Sequence, residues 1–310
     1  MLEAMLLLIA GLSLLILGSN LLVTSTENFS NYFGISGFIA SFFLIGIATS
    51  APEIFVSLEA ALQKKTILAI GNTIGSNISN IALVFCVSAF FLNKENTSAA
   101  MPLGIFMGML VLTVAVFVLT YFDKSFDMID ALVLLGIFLI ILLSMRNYKD
   151  DGDRINNELQ EESILNIMSY AIIGLIMLLF GSNLFIDGAT QIAMMFGVST
   201  YIIGLTLTAL GTSLPELAAS IQSAKKGKTD FIIGNIIGSN LFNLAIALSL
   251  AGLISPAVVD QSDLLRDISM LLVCMLVFYI IIKSEKYFIK TLYSLLLVIT
   301  YLMYIVVILA

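Results

Sequence analysis

Stretches of about 20 apolar residues recur from end to end of the chain, each long enough to cross a hydrocarbon core roughly 30 Å thick. Ten such spans can be drawn, at 2–25, 35–62, 69–92, 101–121, 127–145, 165–188, 197–224, 231–254, 264–283 and 287–309. None shows the strict polar–apolar alternation of a membrane β-strand. The pattern predicts an all-α polytopic membrane protein. Its one long polar interruption, Arg146 to Glu162, is rich in Asp and Glu. It reads as a solvated linker over 146–164 between two five-span halves, 1–145 and 165–310.

The halves repeat each other. Adding 163 to Thr49, Ser50, Pro52, Glu53, Gly71, Asn72, Gly75, Ser76, Asn77 or Asn80 gives the same residue each time, from Thr212 to Asn243. The same offset carries Gly11 to Gly174, Gly18-Ser19-Asn20 to Gly181-Ser182-Asn183, and Gly34 to Gly197. A unit with an odd number of spans enters the membrane from opposite sides when repeated. Two inverted five-helix repeats are therefore expected, the architecture of secondary transporters with a site at the repeat interface.

Composition supports the class: 60% of residues are hydrophobic and 11% charged, a balance that would leave a soluble domain of this size with an apolar surface. There is no basic stripe for nucleic acid. Histidine is absent, and Cys86 and Cys274 each fall inside a span, which suits buried packing rather than a disulfide framework or a zinc site. The first segment has no cationic start or small-residue cleavage site and reads as a retained span. Lys and Arg set the orientation. Four of them (Lys64, Lys65, Lys124, Arg266) fall on one side and the other ten on the opposite side. The basic side is expected to be cytoplasmic, which puts both termini outside and the acidic linker inside.

Nearly all acidic residues lie in loops or at span ends; Glu53 and Glu216 sit in the middle of the second and seventh spans. A central carboxylate costs about 2.5–3.5 kcal/mol even on the gentler insertion scale, and neither span offers a basic partner. Pro52 and Pro215 precede the two glutamates and remove a backbone donor, which frees carbonyls around Gly46 and Thr49 and around Ala209 and Thr212. Such backbone is tolerated at membrane depth where it lines a cavity or is buried in protein. Thr49 and Glu53, four apart, share a helix face with Ser50 beside them. The third and eighth spans add Asn72, Ser76 and Asn80, and Asn235, Ser239 and Asn243, each trio a polar stripe of oxygen ligands. Asn77 and Asn240, one residue round from the serines, read as bridges between helices. Gly71-x-x-x-Gly75 and Gly234-x-x-x-Gly238 are small-residue packing motifs.

Carboxylate, hydroxyl, amide and carbonyl oxygens make a hard site, suited to Ca²⁺ with its six to eight oxygen ligands in flexible geometry. Soft metals lack His or Cys here. One Ca²⁺ or two Na⁺ neutralise Glu53 and Glu216 equally, so one cage can take either in turn.

The paired motifs resemble the α-repeats of the sodium/calcium exchanger family, within the cation/Ca²⁺ antiporter superfamily. The resemblance covers nearly the whole chain. It implies Na⁺/Ca²⁺ antiport by alternating access, with no enzyme activity and no cofactor, Ca²⁺ and Na⁺ being the cargo. It also implies a multi-pass protein of the cell membrane, functional as a monomer. Glu53 and Glu216 would be the shared Ca²⁺ ligands, completed by the backbone carbonyls of Thr49 and Thr212. Flanking Na⁺ sites would use Ser50, Ser76 and the carbonyl of Gly46, and by pseudo-symmetry Ser213, Ser239 and the carbonyl of Ala209. Asn80 and Asn243 would lie near the centre, and spans one and six would slide to alternate access. Ala48 departs from the glycine usual before the Thr-Ser pair. Asn243 stands where potassium-dependent relatives carry aspartate, which argues against K⁺ co-transport. No large regulatory domain interrupts the repeats.

Three rivals remain on the residues alone. Ca²⁺/H⁺ exchange fits because two crowded carboxylates raise each other's proton affinity. A cation channel is disfavoured by inverted half-sites. An intramembrane hydrolase lacks a nucleophile–base pair.

Overall fold

The computed structural model describes residues 1–92, 102–145, 162–197, 209–284 and 286–309. In order, the helices are α1 (Leu2–Phe33), α2 (Gly37–Thr49), α3 (Ala51–Leu62), α4 (Thr66–Ala89), α5 (Leu103–Asp123), α6 (Met128–Met145), α7 (Ile164–Met195), α8 (Ala209–Thr212), α9 (Leu214–Lys225), α10 (Thr229–Ile254), α11 (Gln261–Lys283) and α12 (Tyr287–Leu309). Among the described residues eight helices are long and apolar enough to cross a membrane, and α2 with α3 makes a ninth, bent span. The seventh span expected at 197–224 is described only from Ala209, where α8 and α9 repeat the α2–α3 break. The linker expected over 146–164 lies outside the described residues except at its end. The chain is an all-α polytopic membrane protein of two inverted repeats. Its only sheet among the described residues is a two-residue antiparallel pair, Ser125–Phe126 (β1) with Ala257–Val258 (β2).

Two spans are longer than hydropathy implied. The apolar run of the first ends near residue 25, yet α1 continues through Glu27, Asn28 and Ser30 to Phe33. An α-helix bonds its own backbone, so polar side chains need not end it where it leaves the hydrocarbon. Gly34 ends it instead, in the left-handed region at φ 62°, with the Ile35 N–H returning to the Ser30 carbonyl over 3.1 Å. The sixth span likewise runs on to Met195 in α7.

α1 and α7 lie against each other backbone to backbone. A Cβ added at Gly11 would meet Phe185 N at 2.4 Å, and one at Gly18 would meet the Gly174 carbonyl at 2.8 Å. From the other side, a Cβ on Gly188 would meet the Ala4 carbonyl at 2.7 Å. Glycines every seven residues on both helices (Gly11 and Gly18; Gly174, Gly181 and Gly188) thus form one seam, since small residues let membrane helices approach closely. α2 packs on α10 by the same device: a Cβ on Gly234 would meet the Phe38 carbonyl at 2.6 Å and one on Gly238 the Phe42 carbonyl at 2.8 Å. Phe42, Ile74, Ile78, Ile237 and Leu241 pack in the main core behind that contact. Leu6, Ile9, Leu12 and Ile16 of α1 are exposed, as a lipid-facing surface requires.

Candidate cation site

Four elements meet at the centre: the α2–α3 and α8–α9 breaks, α4 and α10. Each half-helix that follows a break begins in the same way. Ser50 and Ser213 occupy the breaks, and Pro52 and Pro215 stand in the first turns of α3 and α9. Proline suits this place, where its missing N–H would have no helical partner. The α2–α3 bend is 44°. Glu53 and Glu216 follow in those first turns, both fully buried at 0% exposure. Helix N-termini favour negative charge, so each bend supports the carboxylate beside it.

The oxygens around them come from both repeats. Glu216 lies close to Glu53, and Thr49 faces Glu216 while Thr212 faces Glu53. Ser76 Oγ donates to Glu53 Oε1 over 3.4 Å. Across the repeat boundary, Ser239 Oγ lies 3.4 Å from the Gly46 carbonyl and 3.3 Å from Thr49 Oγ1. Thr49 Oγ1 also donates to the Ile45 carbonyl and to Asn235 Oδ1, over 3.0 and 3.1 Å. Asn80 and Asn243 open π-helical turns, Asn80–Phe85 and Asn243–Ala247, a distortion frequent at functional sites. Ala209 stands at the start of α8.

Buried polar atoms in proteins are nearly always hydrogen-bonded. Here Glu53 Oε2, both carboxyl oxygens of Glu216, Ser50 Oγ, Ser213 Oγ, Asn80 Oδ1 and Asn243 Oδ1 have no partner. The ion pairs among the described residues, Lys228–Glu27, Arg266–Asp263 and Arg266–Asp267, leave both central glutamates out. Carboxylate and amide oxygens buried without hydrogen-bond partners, beside two serine hydroxyls likewise unpartnered, are what a desolvated cation would complete.

The two outer asparagines of the stripes behave differently from the coordinating role expected of them. Asn72 Nδ2 donates to the Glu53 carbonyl (3.4 Å) and Ser57 Oγ (3.3 Å), and Asn235 Nδ2 to the Glu216 carbonyl (3.3 Å) and Ser220 Oγ (2.9 Å). They lock each glutamate's backbone to the neighbouring helix. Sequence reasoning passed over Ser57 and Ser220, although they too are related by the offset of 163.

Among the described residues the two sides of the centre differ. A cavity of about 640 Å³ is lined by residues including Pro52, Phe55, Asn183, Asp187, Thr212 and Pro215. On the opposite side α9 is tied to α1: Gln222 Nε2 donates to Asn20 Oδ1 over 2.8 Å and Lys226 Nζ to Thr24 Oγ1 over 2.6 Å, while Lys228 pairs with Glu27 at 3.0 Å.

Inverted repeats that share a buried group of oxygens without hydrogen-bond partners are the arrangement of a secondary cation transporter. Residues 3–145 and 167–310 match the family model described as sodium/calcium exchanger protein. The chain is 36% identical over 275 residues, 86% of each chain, to the putative antiporter CaxA of Alkalimonas amylolytica. It is 28% identical over 320 residues to the sodium/calcium exchanger MaX1 of Methanosarcina acetivorans, covering 90% of this chain and 91% of that one. Its fold matches the sodium-calcium exchanger NCX_Mj soaked with Na⁺ and without Ca²⁺ at a TM-score of 0.82 and 31% identity, over 98% of both chains. The chain belongs to the sodium/calcium exchanger family. It is a transporter, not an enzyme, and its activity is cation/Ca²⁺ exchange.

Proposed function

We propose that this chain exchanges Na⁺ for Ca²⁺ by alternating access, with Glu53 and Glu216 sharing the ion at mid-membrane. The observation that carries the reading is the group of partnerless buried oxygens, contributed in equivalent pairs by both repeats. The carbonyls of Thr49 and Thr212 complete the Ca²⁺ site. Ser50, Ser76 and the Gly46 carbonyl form one Na⁺ site; Ser213, Ser239 and the Ala209 carbonyl form the other, and Asn80 and Asn243 stand between them.

Residues 1–145 and 165–310 act as the two repeats, joined by the 146–164 linker, and the protein works as a monomer in the cell membrane. With the basic side cytoplasmic and both termini outside, the cavity beside Asp187 opens outward and the Gln222–Asn20 contact closes the inner side. The open side is the counterpart of the closed one. Phe55 and Val56 of α3 are 68% and 42% exposed, whereas Ala219, which corresponds to Val56, is fully buried. Alternation then exchanges which half-helix docks on α1 or α7.

Ca²⁺ uptake into proteoliposomes under an imposed Na⁺, K⁺ or H⁺ gradient tests this directly: uptake follows the Na⁺ gradient alone. Uptake that follows the H⁺ gradient instead supports the second reading, Ca²⁺/H⁺ exchange, which the closeness of the two carboxyl groups favours.

A further inference from the structure

Where α4 and α10 cross, four asparagines form a closed, two-fold set. Asn77 Nδ2 donates to the Asn240 backbone carbonyl over 3.0 Å, and Asn240 Nδ2 to the Asn77 carbonyl over 3.4 Å. Asn80 Nδ2 donates to Asn240 Oδ1, and Asn243 Nδ2 to Asn77 Oδ1, each over 3.1 Å. All four side chains are buried, and all four donors reach the opposite repeat.

A primary amide has two unlike ends, an acceptor oxygen and a donor NH₂. Turned one way, Asn80 or Asn243 offers a cation an oxygen; turned the other way it offers N–H groups that repel the ion. Each bridging asparagine spends its NH₂ on a main-chain carbonyl, which leaves its Oδ1 facing Asn80 or Asn243 as an acceptor. That acceptor can be satisfied only by the NH₂ end of its neighbour. The Oδ1 atoms of Asn80 and Asn243 are then left over, buried and without partners.

We infer that Asn77 and Asn240 are positioning residues for cation binding: Asn77 fixes the amide of Asn243, and Asn240 that of Asn80, so that both present oxygen to the ion. Each repeat thereby orients a ligand of the other. This rests on the proposed cation site, and it adds a role for two residues that do not themselves meet the ion.

The test uses the full chain in detergent and in proteoliposomes, reading equilibrium ⁴⁵Ca²⁺ binding together with the half-saturation and maximal rate of Na⁺-driven Ca²⁺ uptake. Asn77→Leu removes the acceptor and frees the Asn243 amide to turn over. Half-saturation and the dissociation constant are expected to rise about tenfold, one ligand's worth of affinity, with the maximal rate changed far less. Asn77→Asp keeps an acceptor oxygen and is expected to bind Ca²⁺ at least as tightly as the parent. The decisive arm places Asn77→Leu in an Asn243→Asp background. A carboxylate offers oxygen whichever way it turns, so the cost of losing Asn77 should largely disappear there. An equal cost in both backgrounds, or no cost in a variant that melts like the parent, would overturn the inference. Should Asn77→Leu fail to fold, Asn240→Leu with and without Asn80→Asp runs the same cycle from the other repeat. Failure of Na⁺ coupling in the parent protein would show in uptake while leaving the binding comparison readable, so the two failures are distinguishable.

Discussion

Ser239 Oγ and the carbonyl oxygen of Gly46 stand 3.4 Å apart although 193 positions separate them in the chain. The contact joins the eighth span to the end of the first half-helix of the second, so the candidate site is assembled from both repeats. Substitutions in either repeat should therefore affect the same ion.

The seam between α1 and α7 has no room for side chains at its glycines. Gly11→Val would drive atoms into the backbone of Phe185 and Gly181. Overpacking of that kind costs about 1–3 kcal/mol, so a clear fall in detergent melting temperature is expected. Gly136→Ala, where nothing lies within 4 Å, should be neutral or slightly stabilising, by up to ~1 kcal/mol from helix propensity. Equal melting of the two variants would contradict the packing account.

Gln222 and Lys226 hold α9 against α1 through Asn20 and Thr24. Replacing both with alanine should favour opening of that side. A loss of about 1 kcal/mol there would raise the open population roughly fivefold. Alkylation of Ala219→Cys, a position fully buried in the closed arrangement, should speed up by a similar factor in a background without Cys86 and Cys274. An unchanged labelling rate would mean that these contacts do not hold the side shut.

Asn243→Asp places a third carboxylate among the central oxygens. Cation dependence should change, with K⁺ now altering Na⁺-driven Ca²⁺ uptake, as comparison of uptake with and without K⁺ would show. Identical selectivity in the variant would remove position 243 from the ion's surroundings.

Asp260 caps α11, its carboxylate accepting from the N–H groups of Ser262 and Asp263 and from the Ser262 hydroxyl. Those bonds hold its carboxyl below the ordinary value of 3.8. A carboxyl depressed in the folded state contributes stability above its unfolded value and loses it as pH falls through the folded one. Asp260→Asn caps equally well but does not titrate. The stability difference between the parent and this variant should therefore be constant above about pH 5 and change only at more acid pH. A difference that varies instead around neutral pH would refute the assignment.

Much of this was legible in the chain. Apolar runs located the spans, because the bilayer fixes their length, and the offset of 163 exposed the repeat. Glu53 and Glu216 stood out because a carboxylate at membrane depth needs a reason. What escaped was set by geometry that residue identity does not carry. The polar overhang of α1 from Thr26 to Phe33 is helical without being apolar. Asn72 and Asn235 share a helix face with Ser76 and Ser239, but spacing cannot say which end of an amide points inward. Here the NH₂ ends turn toward the glutamate backbones and toward Ser57 and Ser220.

The most direct measurement is Na⁺-gradient-driven Ca²⁺ uptake into proteoliposomes by the parent, Glu53→Gln and Glu216→Gln proteins. Glutamine keeps the shape and removes the charge. Uptake should fall at least about a hundredfold in each variant, some 2.7 kcal/mol of lost ion stabilisation. Uptake at the parent rate by either variant, reconstituted at equal amount, would contradict the claim that two buried carboxylates, one from each repeat, share the transported ion.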